Sequence, residues 1–178
     1  SRWHALETLR MRGLDYTGAL KVLQMIFSYE YLWIQIRVKG GAYGCMCSFS
    51  DQGDSMFVTY RDPNLSESYK VYDEAADYVA DFDAGDMKKY IIGTIGSMDM
   101  PMEAVDMGAR SFHAYFLGKT EADLQKVRDQ VLSCTQEDIR ALAPIVKAVV
   151  EAGNRCCIGN EEKIDQNKEY FDEVKHVL

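Results

Sequence analysis

Proline occurs only three times in 178 residues, and no proline- or serine-rich stretch parts one segment from another. Nothing marks a flexible linker, so the simplest division is a lead-in over 1–15 and one domain over 16–178. A run of ~20 apolar residues, the length a membrane-spanning helix needs, is missing. So is the charged-then-apolar opening of a signal peptide; no membrane partner is expected. Cations are in deficit, with 20 Lys and Arg against 28 Asp and Glu and a net charge of −8. A general nucleic-acid binder needs a clustered basic face to release phosphate counterions, and docking on anionic lipid needs the same sign of charge. Nucleic acid is therefore excluded as an expected partner.

Histidine is equally sparse. His4, His113 and His176 lie far apart, and neither His-Glu-x-x-His nor the inverted His-x-x-Glu-His occurs, so no metal site is expected on this chain. His113 reads as a helix-face or core residue rather than a catalyst. A Gly-x-Ser-x-Gly elbow and a phosphate-binding Gly-Lys-Ser/Thr are also lacking. The five cysteines, Cys45, Cys47, Cys134, Cys156 and Cys157, are odd in number and fit neither zinc spacing nor a secreted disulfide framework. Free thiols are expected, with Cys45 and Cys47 on the same face of a strand.

What is present is periodicity. Ala19, Leu20, Leu23, Ile26 and Phe27 recur at helical spacing, predicting a first helix that ends in the aromatic patch at Trp33. "AYGCMCSFS" and "DSMFVTYRD" read as two strands joined by a glycine-containing turn around Asp51 to Asp54. Asn64 with Glu67 resembles a capping box, opening a helix with Leu65, Tyr69, Tyr72, Ala76 and Val79 on one side. Two helices flank Pro101, and Gly118 closes the second. Met98, Met100, Met102 and Met107 are expected to pack an adaptable core there. Thr120 with Asp123 and Thr135 with Asp138 start two more helices. "RCCIG" after Gly153 reads as a returning strand, and the tail from Glu161 as helical. The order predicts an α+β fold: a mostly antiparallel sheet with helices packed on one face.

One stretch stands out chemically. "RVKGGAYG", Arg37 to Gly44, sets two cations and a tyrosine around a glycine pair that admits unusual dihedrals and close backbone approach. Arg37 offers a planar fork of donors for carbonyls or carboxylates, and Tyr43 a phenolic donor that can support developing negative charge. The residues alone leave a plainer reading open: an arginine at a helix C-terminus, favoured by the dipole, and a tyrosine packed at a strand edge.

"YLWIQIRVKGGAYG", "FVTYRDPNL", "KKYIIGTIGSMDMP" and "CIGNEEKIDQNKEYFDEV" follow one another as in the presequence-protease branch of the pitrilysin/insulinase zinc metallopeptidases, which the chain resembles from about Tyr16 to its end. The resemblance implies a mitochondrial-processing-peptidase-like α+β domain that lacks its first strand, and a dimer through the edge so exposed would be a product of truncation. It implies a C-terminal domain that closes a chamber over unstructured peptides against the N-terminal half of the same polypeptide. Zinc would belong to that other half, with none bound by this chain, which alone would be inactive. Arg37 and Tyr43 would reach the substrate carbonyls, on a loop shaped by Lys39, Gly40 and Gly41. Relatives of this kind occur in bacterial cytoplasm, the expected location here, and in the mitochondrial matrix and chloroplasts. Two other readings stay open: a non-catalytic structural or assembly subunit of the same family, and a thiol enzyme using Cys45 or Cys47.

Overall fold

The computed structural model describes residues 14–176; most of the 1–15 lead-in and His4 lie outside them. The chain starts with a helical rod over residues 19–39. Its first part, α1 (Ala19–Ile26), is α-helical, and the rest is π-helical over Phe27–Tyr31 and Trp33–Lys39. The Leu32 N–H reaches the Phe27 carbonyl and the Gly40 N–H that of Gln35, each five residues back. The rod runs six residues past the expected stop at Trp33. β-Branched Ile34, Ile36 and Val38 speak against helix locally, but Ile36 buries fully in the core and decides the matter.

A hairpin comes next: β1 (Gly44–Phe49) pairs antiparallel with β2 (Ser55–Tyr60) in a register that sets Cys47 opposite Phe57 and Gly44 opposite Tyr60. Alternation assigns the faces. Cys47 and Phe49 enter the core, with Cys45 and Phe57 packed against it, while Met46, Met56 and Tyr60 stay exposed. The rod covers the inner face, as expected of helices on one side of a sheet. Beyond the hairpin lie α2 (Leu65–Asp73), α3 (Ala75–Ala80), α4 (Lys88–Met98) and α5 (Ala104–Phe116). They are followed by α6 (Glu121–Leu132), α7 (Gln136–Arg140), α8 (Ala143–Glu151) and the short α9 (Glu161–Asp165). This is a mixed α+β architecture around one core. Both Thr120–Asp123 and Thr135–Asp138 form complete capping boxes, and Gly118 takes the left-handed φ of +67° that ends α5.

Several expectations need correction. Among the described residues the sheet has two strands only. The "RCCIG" run does not return to it: a cleft of about 250 Å³ lies between Ser55–Phe57 of β2 and the segment 152–156. Arg155 instead ties that segment to helices, bonding Asp73 at 3.3 Å and lying over the rings of Tyr69 and Tyr170. The tail is helical only over α9 and the short 3-10 turn Lys168–Tyr170. Methionines around Pro101 do not fill a core: Met98 packs against it, but Met100, Met102 and Met107 are exposed. The reason is α5, which buries none of its residues and leaves Val105, Phe112, Tyr115 and Phe116 open. His113 lies exposed on this helix.

Phe27 organises the interior. It is fully buried, its ring 5.7 Å from Phe57 edge-on and within 6.3 Å of Tyr31, Phe49 and Tyr78. It thus joins the rod, both strands and α3. Outside the core, the Glu30 carboxylate accepts from Lys89 Nζ at 2.8 Å and Tyr90 Oη at 3.0 Å, tying α4 to the rod. Phe27→Ala is expected to cost about 3–5 kcal/mol of unfolding free energy, read as a lowered urea midpoint. A loss under about 1 kcal/mol would show that the aromatic cluster does not hold the layers together.

Candidate functional site

The rod delivers Arg37 and Lys39 on its last turn, both exposed. Basic side chains are favoured there by the partial negative charge of the helix C-terminus. The Arg37 guanidinium lies 4.0 Å from the centre of the Trp33 ring one turn back. Lys39 Nζ donates to Gln35 Oε1 at 3.1 Å. Lys39 is therefore helical, and the connecting loop is shorter than expected, beginning at Gly40.

That loop is tightly closed. The N–H groups of Gly40, Gly41 and Ala42 bond back to the carbonyls of Gln35, Arg37 and Ile36 at 3.0 to 3.2 Å. A Cβ on Gly40 would stand 2.5 Å from the Ile36 oxygen, and Gly41 has φ +76°; both positions call for glycine. Ala42 turns into the core and Tyr43 turns out of it, 64% exposed. The remaining Gly40 carbonyl accepts from Asn64 Nδ2 at 2.6 Å. The expected capping box at Asn64 and Glu67 is therefore not formed: the Asn64 side chain serves the end of the rod, not the start of α2. Asp62 holds the approach by accepting from the Asn64 N–H at 2.9 Å and the Ser68 hydroxyl at 2.5 Å.

Arg37 and Tyr43 are thus joined through one turn and both face solvent. The Arg37 charge also reaches the start of β1, where it partly offsets the upward push of burial on the Cys45 thiol. Tyr43 meets neighbours that the sequence did not single out. Its N–H bonds the Arg61 carbonyl at 3.3 Å, and its ring meets Tyr60 edge-on at 5.9 Å. The Arg61 guanidinium lies 5.8 Å from the Tyr43 ring and 5.4 Å from the Tyr60 ring. The available signal was "YRDPN", where Asp-Pro-Asn forces a turn directly after a strand and brings its last residues back to the paired edge.

Arg37, Lys39 and Arg61 have no carboxylate within 4.0 Å among the described residues. Arg37 and Arg61 thus stay unneutralised beside aromatic rings, Arg37 over Trp33 and Arg61 by Tyr43 and Tyr60. Such a surface can donate hydrogen bonds to carbonyl or carboxylate oxygens of an extended ligand and stack against its side chains. Among the described residues no cluster of three His, Cys, Asp or Glu side chains is placed to share an ion. These residues therefore offer no fit to zinc.

Comparison with known proteins identifies the family. The family described as the PreP C-terminal domain matches residues 7–160. The chain is 39% identical over 171 residues to protein HypA of Clostridium perfringens, an alignment covering 95% of this chain and 18% of that protein. It is 33% identical over 172 residues to presequence protease 1, chloroplastic/mitochondrial, of Arabidopsis thaliana, covering 93% of this chain and 16% of that protein. The mitochondrial presequence protease of Aspergillus fumigatus is 33% identical over 151 residues, covering 83% and 14%. The chain spans less than a fifth of the length of each of these relatives.

Cys47 and Cys134 are placed for packing. Burial pushes Cys47 and Cys134 up to about 12 and also raises Cys45 and Cys157, while Cys156 is exposed. A raised thiol pKa removes the thiolate that nucleophilic chemistry requires. Treating the folded chain with an alkylating reagent at pH 8 is expected to modify Cys156 readily and to spare Cys47 and Cys134 until the protein is unfolded. Rapid labelling of Cys45 or Cys47 in the folded state, mapped by mass spectrometry, would revive the thiol-enzyme reading.

Proposed function

The chain belongs to the PreP C-terminal domain family, and from that premise we propose that it is the substrate-binding, chamber-closing part of a zinc metalloendopeptidase that degrades unstructured peptides. The observation that carries this reading is the exposed pair Arg37 and Tyr43, held on one hydrogen-bonded turn beside unneutralised charge. The open phenol and the ring-stacked guanidinium, set on one turn, support an active parent over an assembly subunit. The N-terminal half of the same polypeptide is the proposed partner. It would face the aromatic-cationic end of the hairpin and supply the metal, since the described residues of this chain offer no ligand set.

The chemistry assigned to this chain is binding and charge stabilisation. The Tyr43 hydroxyl donates to the scissile carbonyl oxygen as negative charge builds on it. Arg37, stacked on Trp33 and so restricted in direction, donates to a neighbouring backbone carbonyl. Main-chain recognition of this kind suits peptides of varied sequence in extended form. The proposed location is bacterial cytoplasm; the plant and fungal relatives, named chloroplastic/mitochondrial and mitochondrial, carry the organellar alternative.

Tyr43→Phe in the full-length enzyme is expected to lower kcat about 100- to 1000-fold, the usual consequence of losing one transition-state donor. Zinc content, measured by atomic emission, should stay at the wild-type level. An unchanged kcat would remove Tyr43 from the reaction and with it this assignment.

A further inference from the structure

Arg61 is the only non-glycine residue with a left-handed backbone among those described, at φ +49°. A side chain is disfavoured there, and such a conformation persists only where surrounding structure enforces it. The enforcing contacts are visible on both sides. The Arg61 carbonyl accepts the Tyr43 N–H, and the next residue, Asp62, is fixed by its bonds to Asn64 and Ser68. The turn throws the Arg61 side chain back over the hairpin rather than onward along β2. Its guanidinium lies beside the rings of Tyr43 and Tyr60, which meet each other at 81°. Asp62, the nearest acid in sequence, is occupied by Asn64 and Ser68, so it does not draw the guanidinium away from the rings.

Tyr43 has little else to hold it. Its ring is mostly solvated, and no hydrogen bond to its hydroxyl is formed within the described residues. A phenol that must meet a carbonyl oxygen at hydrogen-bond distance cannot swing freely without loss of rate. We propose that Arg61 is the positioning residue of Tyr43: it fixes the backbone of Tyr43 through its carbonyl and the ring through its guanidinium, with Tyr60 as the second wall. This rests on the reading of Tyr43 as a substrate-facing donor. Arg61 acts through Tyr43 and touches no substrate itself.

The test uses the full-length enzyme with Arg61→Gly, Tyr43→Phe, their combination, and Arg61→Lys. Glycine accepts the left-handed backbone, so folding should be kept, checked by a melting temperature near the wild-type value. Arg61→Gly is expected to lower kcat about three- to tenfold with KM within about twofold, because ring placement matters most in the transition state. In the Tyr43→Phe background the same change should add less than about twofold. Arg61→Lys should recover part of the rate, since it restores a cation without the planar face. An equal effect of Arg61→Gly in both backgrounds, or a rise in KM alone, would overturn the proposal. A crystal structure of the Arg61→Gly protein decides it independently of rate: Tyr43 should leave Tyr60, and an unmoved ring refutes positioning. If Tyr43→Phe is silent, the reading of Tyr43 as a donor falls, while the position of the ring still decides what Arg61 does.

Discussion

Burial of one stripe of the helical rod fixes the direction of everything at its far end. Leu23, Ile26, Phe27, Leu32 and Ile36 are all fully enclosed, each stabilising the fold by roughly 1.5–3 kcal/mol. With Ile36 committed inward, the next three residues, Arg37, Val38 and Lys39, have no route into the core and stay in solvent. The π-helical stretches matter here. Each bond reaching back five residues adds a residue to the turn and rotates the chain beyond it. The rod's outward face at residues 33–39 is therefore set by those stretches as well as by the apolar pattern of α1. That rotation brings Arg37 over Trp33 and its charge toward the start of β1.

The second constraint is the clasp between the two ends of the hairpin. Backbone bonds from residues 40–42 return to the rod, and the Asn64 amide crosses from the far side of β2 to the Gly40 carbonyl. A buried or half-buried carbonyl left unpaired would cost about 1–3 kcal/mol, so this amide has a stronger use at Gly40 than at the start of its own helix. The result is that Tyr43 and Arg61, opposite each other beyond the Gly44–Tyr60 pair, sit on a frame closed on three sides. Functional groups placed on closed frames keep their geometry better than those on open loops.

How much the residues revealed in advance depends on how local the deciding contact is. The hairpin, its turn and the boxes at Thr120–Asp123 and Thr135–Asp138 are set by partners within a few positions, and all were legible. Asn64 was misread because its true partner lies 24 residues away. The rod's extension through Ile34 to Lys39 was hidden because β-branched residues argue for strand until the core claims Ile36. "RCCIG" carries the composition of a strand, yet a strand also needs an edge to pair with, and Arg155 holds this segment on α2 and Tyr170 instead, across a cleft from β2. Arg37, Tyr43 and the glycine pair were visible as a motif. Arg61 was not, because its importance lies in a backbone sign and two ring contacts across a hairpin, neither of which a spacing rule encodes.

The charge pattern bears on the proposed function. Some cations elsewhere meet carboxylates: Lys89 meets Glu30, Arg128 meets Asp99 with two bonds, and Arg155 meets Asp73. Such surface pairs contribute about 0–1 kcal/mol each, so they are not what holds the fold together. Nor do they reach every positive group: among the described residues Lys88, Arg110, Lys126 and Lys163 are exposed without a carboxylate within 4.0 Å. At Arg37 and Arg61 the guanidinium is paired with an aromatic face instead, which orders it without neutralising it. An arginine stacked on a ring keeps its donors free in a defined plane, whereas one paired with a carboxylate has already committed them. Order without neutralisation thus serves different ends in the two proposals: at Arg37 it leaves donors free for a peptide carbonyl, and at Arg61 it holds the Tyr43 ring.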